Sequence, residues 1–264
     1  MGKKIAIIGG GNLGTAIAEG LLKSKFSKAS ELTITKRNTA TLKDLNDKGI
    51  KISSDNNAAV KNSEVVVLAV KPYQVAEVLS GIKDELNKDK ILISVVTGVL
   101  ISEMEEVFKN KIPVFRAMPN TAIAIQESMT CICSQYASAE HMRYVNDLFT
   151  RLGKVVTIDE KLMEAATILA ACGTAYAMRY IRANIQGGIE IGFDAATASL
   201  ISAQTVKGAA ELLLQKGSHP EQEIDKVTTP KGCTIAGLNE MEHRGFSSSL
   251  IRGVVASYKK IERS

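Results

Sequence analysis

Three glycines within six residues give the sequence its first chemical signal. Gly9-Gly10-Gly11-Asn12-Leu13-Gly14 fits the spacing G-x-G-x-x-G, directly after the apolar run Ile5-Ala6-Ile7-Ile8 and directly before a helical pattern. A dinucleotide site needs that context: Gly9 permits a tight turn, Gly11 lets a pyrophosphate approach the backbone, and Gly14 lets helix pack on strand. Asn12 and Leu13 then stand at a helix start, whose N–H groups form an anion site. The plain alternative is a strand-to-helix turn that binds nothing. The next strand ends in Thr35-Lys36-Arg37-Asn38, two cations where an NAD site presents Asp or Glu, about twenty residues beyond the glycines. A carboxylate there would repel a 2′-phosphate, whereas Arg37 can grip one through a forked pair of donors. Lys36 and Arg37 therefore favour NADPH. NADH is the alternative cofactor, and two solvated surface cations are the alternative reading of the pair.

The fingerprint implies hydride chemistry but no particular substrate. Val70-Lys71-Pro72 closes a strand at 65–70, at the sheet edge where ligands bind in doubly wound folds. Arg116-Ala117-Met118-Pro119-Asn120-Thr121 stands at the corresponding end of a strand at 112–116, and Thr228 to Leu238 makes a turn that opens a helix. Taken together, G-G-G-N-L-G, A-V-K-P, R-x-M-P-N-T and P-x-G-x-T-I-A-G-L resemble the pyrroline-5-carboxylate reductase family in order and spacing, over essentially the whole chain. The last motif is the most specific of the four.

That resemblance implies a cyclic imino acid substrate, 1-pyrroline-5-carboxylate, and the product L-proline, in the last step of proline biosynthesis. It also implies a homodimer built through a helical domain, and the family includes larger rings of dimers. By position, Asn56 is similar to a family residue near the cofactor ribose, and Val70, Lys71 and Pro72 to the segment lining the nicotinamide side. Asn120 is grouped with these cofactor residues. Thr234 matches a threonine whose hydroxyl is placed near the substrate nitrogen, and with Lys71 it forms the candidate catalytic pair. Thr229 matches a serine of the same loop, and Gly232, Cys233 and Thr234 would offer backbone N–H groups to the substrate carboxylate.

Elementary chemistry agrees with this assignment. An N-terminal helix turn supplies unsatisfied N–H donors and a positive dipole end, which suit a carboxylate. Imine reduction needs little acid–base machinery, because the cofactor carries the hydride and the protein mainly holds the reacting carbons at attack distance. In the bland readings Thr234 only caps a helix and Lys71 is only an exposed strand-end cation. The sequence also departs from the family pattern. Lys231 stands where Gly is common, Cys233 where Thr or Ala is frequent, and Cys172-Gly173-Thr174 replaces a Ser-Gly-Pro-like stretch. Two alternative functions stand beside the reductase: a related NADP-dependent imine or 3-hydroxyacid reductase, and a non-catalytic NADP-binding regulator. Hydroxyacid enzymes carry a catalytic Lys four residues after an Asn, whereas here Asn184 is followed at that spacing by Gly188. A regulator has no reason to keep the 229–238 loop.

These residues need a frame. Strands at 3–8, 32–35, 65–70, 91–95, 112–116, 129–133 and 155–158 alternate with helices near 12–23, 40–48, 74–86, 101–109 and 139–152, and Asp55 or Asn56 caps a short helix between them. The alternation predicts an α/β fold, an N-terminal Rossmann-type doubly wound parallel sheet over 1–159. From 160 to 264 only helices are expected (160–185, 194–215, 220–227, 234–243 and 247–262), which predicts an all-helical domain; by the resemblance it is the dimerisation and substrate domain. The 160–185 helix is apolar nearly all round, so it should be buried, with a subunit interface the expected site. Apolar residues at 45% of 264 allow a sizeable core. A net charge of +5, spread without blocks, argues against nucleic acid. No stretch reads as a membrane span or secretory leader, so the expected location is the cytoplasm. Scattered His and Cys give no metal-ligand spacing, and no metal is expected.

Overall fold

Strands without polar side chains must be covered on both faces, and that requirement organises the first two-thirds of the molecule. The computed structural model describes residues 2–108 and 111–262. It runs β1 (Ile5–Ile8), α1 (Asn12–Lys23), β2 (Leu32–Thr35), α2 (Lys43–Asp47), β3 (Lys51–Ser53), α3 (Asn56–Lys61), β4 (Val65–Leu68), α4 (Val75–Ile82) and β5 (Ile91–Ser94). Then follow α5 (Ile101–Phe108), β6 (Val114–Met118), β7 (Ser128–Gln135), α6 (Ala139–Thr150) and β8 (Gly153–Thr157). The eight strands form one sheet in the order β3-β2-β1-β4-β5-β6-β7-β8, parallel except for the β6–β7 pair.

Alternation along each strand divides the core in two. Ile5, Ile7, Val65, Val67 and Phe115 point to one face and pack with Ile17 and Leu21 of α1 and Leu148 and Phe149 of α6. Ala6, Ile8, Val66, Leu68 and Val114 point to the other, against Leu79 of α4 and Met104 and Phe108 of α5. β1 and β4 are in register from Ile5↔Val65 to Ile8↔Leu68, so both apolar runs end at the same edge of the sheet. The loops that could do chemistry leave from that edge.

Several boundaries differ from the sequence reading. The helices expected at 40–48 and 74–86 contract to α2 and α4, flanked by 3₁₀ turns at Thr39–Leu42, Pro72–Gln74 and Lys83–Glu85. The strand expected at 112–116 lies at Val114–Met118, which puts Arg116 mid-strand instead of at a strand end. The strand at 65–70 stops at Leu68, leaving Val70 in the loop. β3 is an addition, an edge strand with Ile52 as its single apolar residue. Lys109, the last residue of the helix expected at 101–109, lies outside the described residues.

The helix expected at 160–185 is not one regular helix. After a 3₁₀ turn (Glu160–Leu162), α7 (Met163–Ala166) opens into a π-helical stretch at Thr167–Cys172, and α8 (Gly173–Glu190) follows. The Thr167 hydroxyl donates back to the Met163 carbonyl at 2.9 Å, a bond that bends helices. Its apolar face is not uniformly buried either. Met163, Ala166 and Ala170 join the second face of the sheet core, while Leu169 is 70% exposed.

The chain divides into one compact unit that ends at Cys172 and includes Ile261, and another at Gly173–Lys260. The second holds α8, α9 (Ala195–Lys216), α10 (Pro220–Lys226), α11 (Cys233–His243) and most of α12 (Phe246–Glu262). α8 approaches α9 where a side chain at Gly188 would press on Ala198, and Tyr176 meets Ser257 of α12 at 2.7 Å. Yet α8 buries no residue and α9 only Ala198 and Ser202, while Met178, Ile191, Leu200 and Ile251 are exposed. Among the described residues no helix is long and apolar enough to cross a membrane, and no cluster of His, Cys, Asp or Glu could hold a metal ion.

Phe115 is fully buried at the centre of the sheet core. Phe115→Ala is expected to lose about 3–5 kcal/mol of stability by urea unfolding. A loss under about 1 kcal/mol would mean that this face of the sheet is not close-packed.

Candidate active site

Between the ends of β1, β2 and β4 lies a cleft of about 830 Å³. The turn out of β1 is pinned from two sides. Gly9 and Gly10 both donate to the Thr35 carbonyl, at 3.2 and 2.7 Å, and Ala69 N–H donates to the Ile8 carbonyl at 2.8 Å. Gly9 has φ +116°, and a Cβ there would collide with the Ala69 carbonyl. A Cβ at Gly14 would collide with the Gly9 carbonyl. At Gly11 the result is opposite: a Cβ would meet nothing within 4 Å, because that face opens into the cleft.

Gly11 is also the N-cap of α1, with no side-chain cap and no acidic residue in the first turn. The first N–H groups of a helix lack partners inside the helix and carry a partial positive charge. The open backbone at Gly11, Asn12 and Leu13 therefore fits a pyrophosphate. Lys36, Arg37 and Asn38 line the same cleft beyond β2. Among the described residues neither cation takes part in an ion pair. Asn38 Oδ1 caps the next turn by accepting from Ala40 N–H at 3.2 Å. Asn56 lines the cleft as the first residue of α3, while Asp55 caps that helix by accepting from Ala58 N–H at 3.0 Å. Val70, Lys71 and Pro72 form the wall beyond β4, where Lys71 N–H donates to Gln74 Oε1 at 3.2 Å.

Two expected cofactor residues do not line this cleft. Gly14 packs behind it. The Asn120 side-chain amide is committed to protein: Oδ1 accepts from Ala122 N–H at 3.0 Å and Nδ2 donates to the Ala170 carbonyl at 3.0 Å. Conversely, the cleft includes Ser54, Glu77, Val95, Val96 and Thr97, which motif reasoning passed over. Val95 to Thr97 follow β5 at the same sheet edge, so the rule that led to Val70 could have found them. Ser54 follows the unforeseen β3, and nothing in the sequence marks Glu77.

In the helical unit, α10 leads into the second candidate segment. The Thr228 hydroxyl donates to the Ile224 carbonyl at 2.8 Å. Glu223 is held down at about 2 by hydrogen bonds from Lys226 and Ser218. Thr229-Pro230-Lys231-Gly232 then forms a β-turn closed by Gly232 N–H to the Thr229 carbonyl at 2.9 Å. Pro at the second position and positive φ at the third are the marks of a type II turn, which favours Gly at the third. Lys231 occupies that place with φ +59°. Lys231 thus holds a left-handed backbone conformation that Gly adopts without strain. Gly232 is the N-cap of α11, which has no side-chain cap and no acidic first-turn residue. Cys233 and Thr234 are its first two helical residues. Thr234 is therefore not the helix cap of the bland reading.

Residues 160–264 match the family described as pyrroline-5-carboxylate reductase dimerisation, and residues 4–98 the one described as NADP oxidoreductase coenzyme F420-dependent. Pyrroline-5-carboxylate reductase 2 of Dictyostelium discoideum is 43% identical across 99% of this chain and 93% of its own length. The chain belongs to the pyrroline-5-carboxylate reductase family. Reductase 1 of the same organism is 44% identical, but this chain spans only 49% of its length. Among solved structures, the Plasmodium falciparum pyrroline carboxylate reductase with NADP bound has a TM-score of 0.89 at 29% identity, covering 99% of this chain and 97% of that one. The Coxiella burnetii reductase gives 0.90 at 26%, covering 100% and 98%.

Lys36 and Arg37 line the cleft beyond β2, where a 2′-phosphate would distinguish NADPH from NADH. Replacing Lys36 and Arg37 together by Ala is expected to weaken NADPH about ten- to a hundred-fold and NADH hardly at all, since one charge-assisted contact is worth ~1.5–3 kcal/mol. Fluorescence titration of both cofactors checks this. An equal loss for both would remove the 2′-phosphate from the account.

Proposed function

We propose that this chain reduces 1-pyrroline-5-carboxylate to L-proline, using NADPH held in the cleft beside Gly11. The reading is carried by one joint observation: an open, uncapped glycine turn beside two cations that form no ion pair among the described residues, in a chain 43% identical over 99% of its length to a named reductase. When bound, NADPH supplies a hydride to the imine carbon. The chain's own residues bind, orient and exclude water. N–H groups of Gly11, Asn12 and Leu13 hold the pyrophosphate, Lys36 and Arg37 the 2′-phosphate, and Asn56 the adjoining ribose. Val70, Lys71 and Pro72 wall the nicotinamide side against solvent.

In the helical unit, N–H groups of Cys233 and Thr234 receive the substrate carboxylate, where the unsatisfied helix start favours an anion, while the Gly232 N–H is spent on the Thr229 carbonyl. Thr229 shapes the same turn. The Thr234 hydroxyl is the proton donor to the ring nitrogen, and Lys71 is the candidate cation of the cofactor side. The functional division falls at residue 160, with 1–159 holding the cofactor and 160–264 serving dimerisation and substrate binding. The active unit is a homodimer: helices that bury almost nothing within one chain, yet expose Met178, Leu200 and Ile251, need a second copy to cover them. Rings of such dimers are the larger assembly. The working environment is the cytoplasm, and the partners are small molecules, with neither nucleic acid nor membrane among them.

NADPH oxidation by purified protein with racemic pyrroline-5-carboxylate, and chiral identification of proline, tests the activity. Thr234→Ala is expected to leave NADPH affinity unchanged and to lower turnover about ten- to a thousand-fold, as for a hydrogen bond made mainly in the transition state. Unchanged turnover would strip Thr234 of its role.

A further inference from the structure

Two side chains of the R-x-M-P-N-T motif grip the segment that leads into the helical unit, and neither lines the cofactor cleft. Arg116, 1% exposed in the middle of β6, reaches Glu160 Oε1 through Nη1 at 3.0 Å and Glu164 Oε1 through Nη2 at 2.9 Å. The Glu160 oxygen also accepts from Ile101 N–H at 2.8 Å, so it is fixed by the start of α5 as well. Burial pushes the neighbouring Cys133 thiol up to about 11, with the Glu160 carboxylate adding to it, as expected of a dry and crowded site. Four residues beyond Arg116, Asn120 Nδ2 holds the Ala170 carbonyl at 3.0 Å.

The gripped segment ends in an unusual conformation. Thr167–Cys172 is π-helical, and α8 and the second unit both begin at Gly173. A π-turn inserts one extra residue into a helix, and such turns concentrate at functional sites. That residue changes the direction in which the following side chains point, since each position is worth about 100° of rotation. The Asn120 bond lands inside the turn, while the Arg116 pair holds the segment one helical turn before it. The 160–172 stem is thus tied to the sheet near both of its ends.

We propose that Arg116 and Asn120 are positioning residues for imine reduction. They lock the 160–172 stem that leads into α8, so that their loss is felt by the imine and not by NADPH. The proposal rests on the reductase reading, and it replaces the motif-based expectation that Asn120 is a cofactor ligand.

The full-length enzyme carries the test in two variants, Asn120→Ala and Glu164→Gln. NADPH Kd, KM and kcat for the imine, and hydrogen exchange over residues 160–175 are measured for each. Asn120→Ala is expected to keep NADPH Kd within about twofold, raise the imine KM about fivefold or more, and speed exchange in the stem. Glu164→Gln keeps an acceptor but loses the charge, and is expected to move the same readouts in the same direction by less. NADPH affinity weakened about tenfold with unchanged stem exchange would make Asn120 a cofactor ligand and overturn the proposal. So would wild-type KM, kcat and exchange in either folded variant. If Asn120→Ala does not fold, Glu164→Gln decides alone. A wild type that binds NADPH but turns over no imine would instead refute the reductase reading, and stem exchange in the variants would still judge the clamp.

Discussion

Everything at the cofactor cleft depends on how closely three strands converge at Gly9. Its amide is held by the Thr35 carbonyl of β2, and the Ala69 carbonyl beyond β4 lies where a side chain would be. That convergence turns the chain sharply, with φ +116°, and starts α1 with its amides facing outward. Gly14 lets the helix settle on the turn, because any larger residue would meet the Gly9 carbonyl. The result is a helix start with no side-chain cap and no acidic residue in its first turn, beside two cations. In a fold built to bury apolar strands, an uncapped helix start facing a cleft is left for a ligand anion.

The second dependence runs through charge. Arg116 is almost fully buried in the sheet, and its carboxylate partners among the described residues stand at the start of the helical segment. Buried ion pairs add little to stability, but removing one partner costs about 3–5 kcal/mol because the other charge is stranded. The pair therefore acts less as a source of stability than as a rule about where residues 160–164 must lie. The stem's apolar side chains, Met163, Ala166 and Ala170, then complete the core on that face.

Much of this could be read from the residues. Ile5 to Ile8 and Val65 to Leu68 have no polar side chain, so their strands and their double-sided burial follow directly, as does the glycine turn between strand and helix. What depends on distant partners could not be read. Arg116 meets carboxylates 44 and 48 residues away, so its motif said nothing of its use. Asn120 lies just beyond a strand end, and its amide oxygen caps a local turn at Ala122, but the partner of its Nδ2, the Ala170 carbonyl, is 50 residues away and only folding brings it near. The π-turn in 167–172 has no signature in an Ala-rich helical pattern. β3 was missed because Lys51-Ile52-Ser53 is an edge strand with little to bury. Lys231 is the reverse case: a departure visible in the sequence whose cause, a left-handed φ in a Pro-led turn, needed the backbone to explain it.

The most direct test of the cleft as a dinucleotide site is the NADPH affinity of Gly11→Ala. Gly11 has an ordinary negative φ of −83°, and an added methyl would touch no protein atom within 4 Å. The variant should therefore fold with an unchanged melting temperature. If a pyrophosphate lies against that backbone, the methyl stands in its path, and affinity should fall about tenfold or more, equivalent to at least ~1.4 kcal/mol. Unchanged NADPH affinity in a normally folded Gly11→Ala protein would contradict the account.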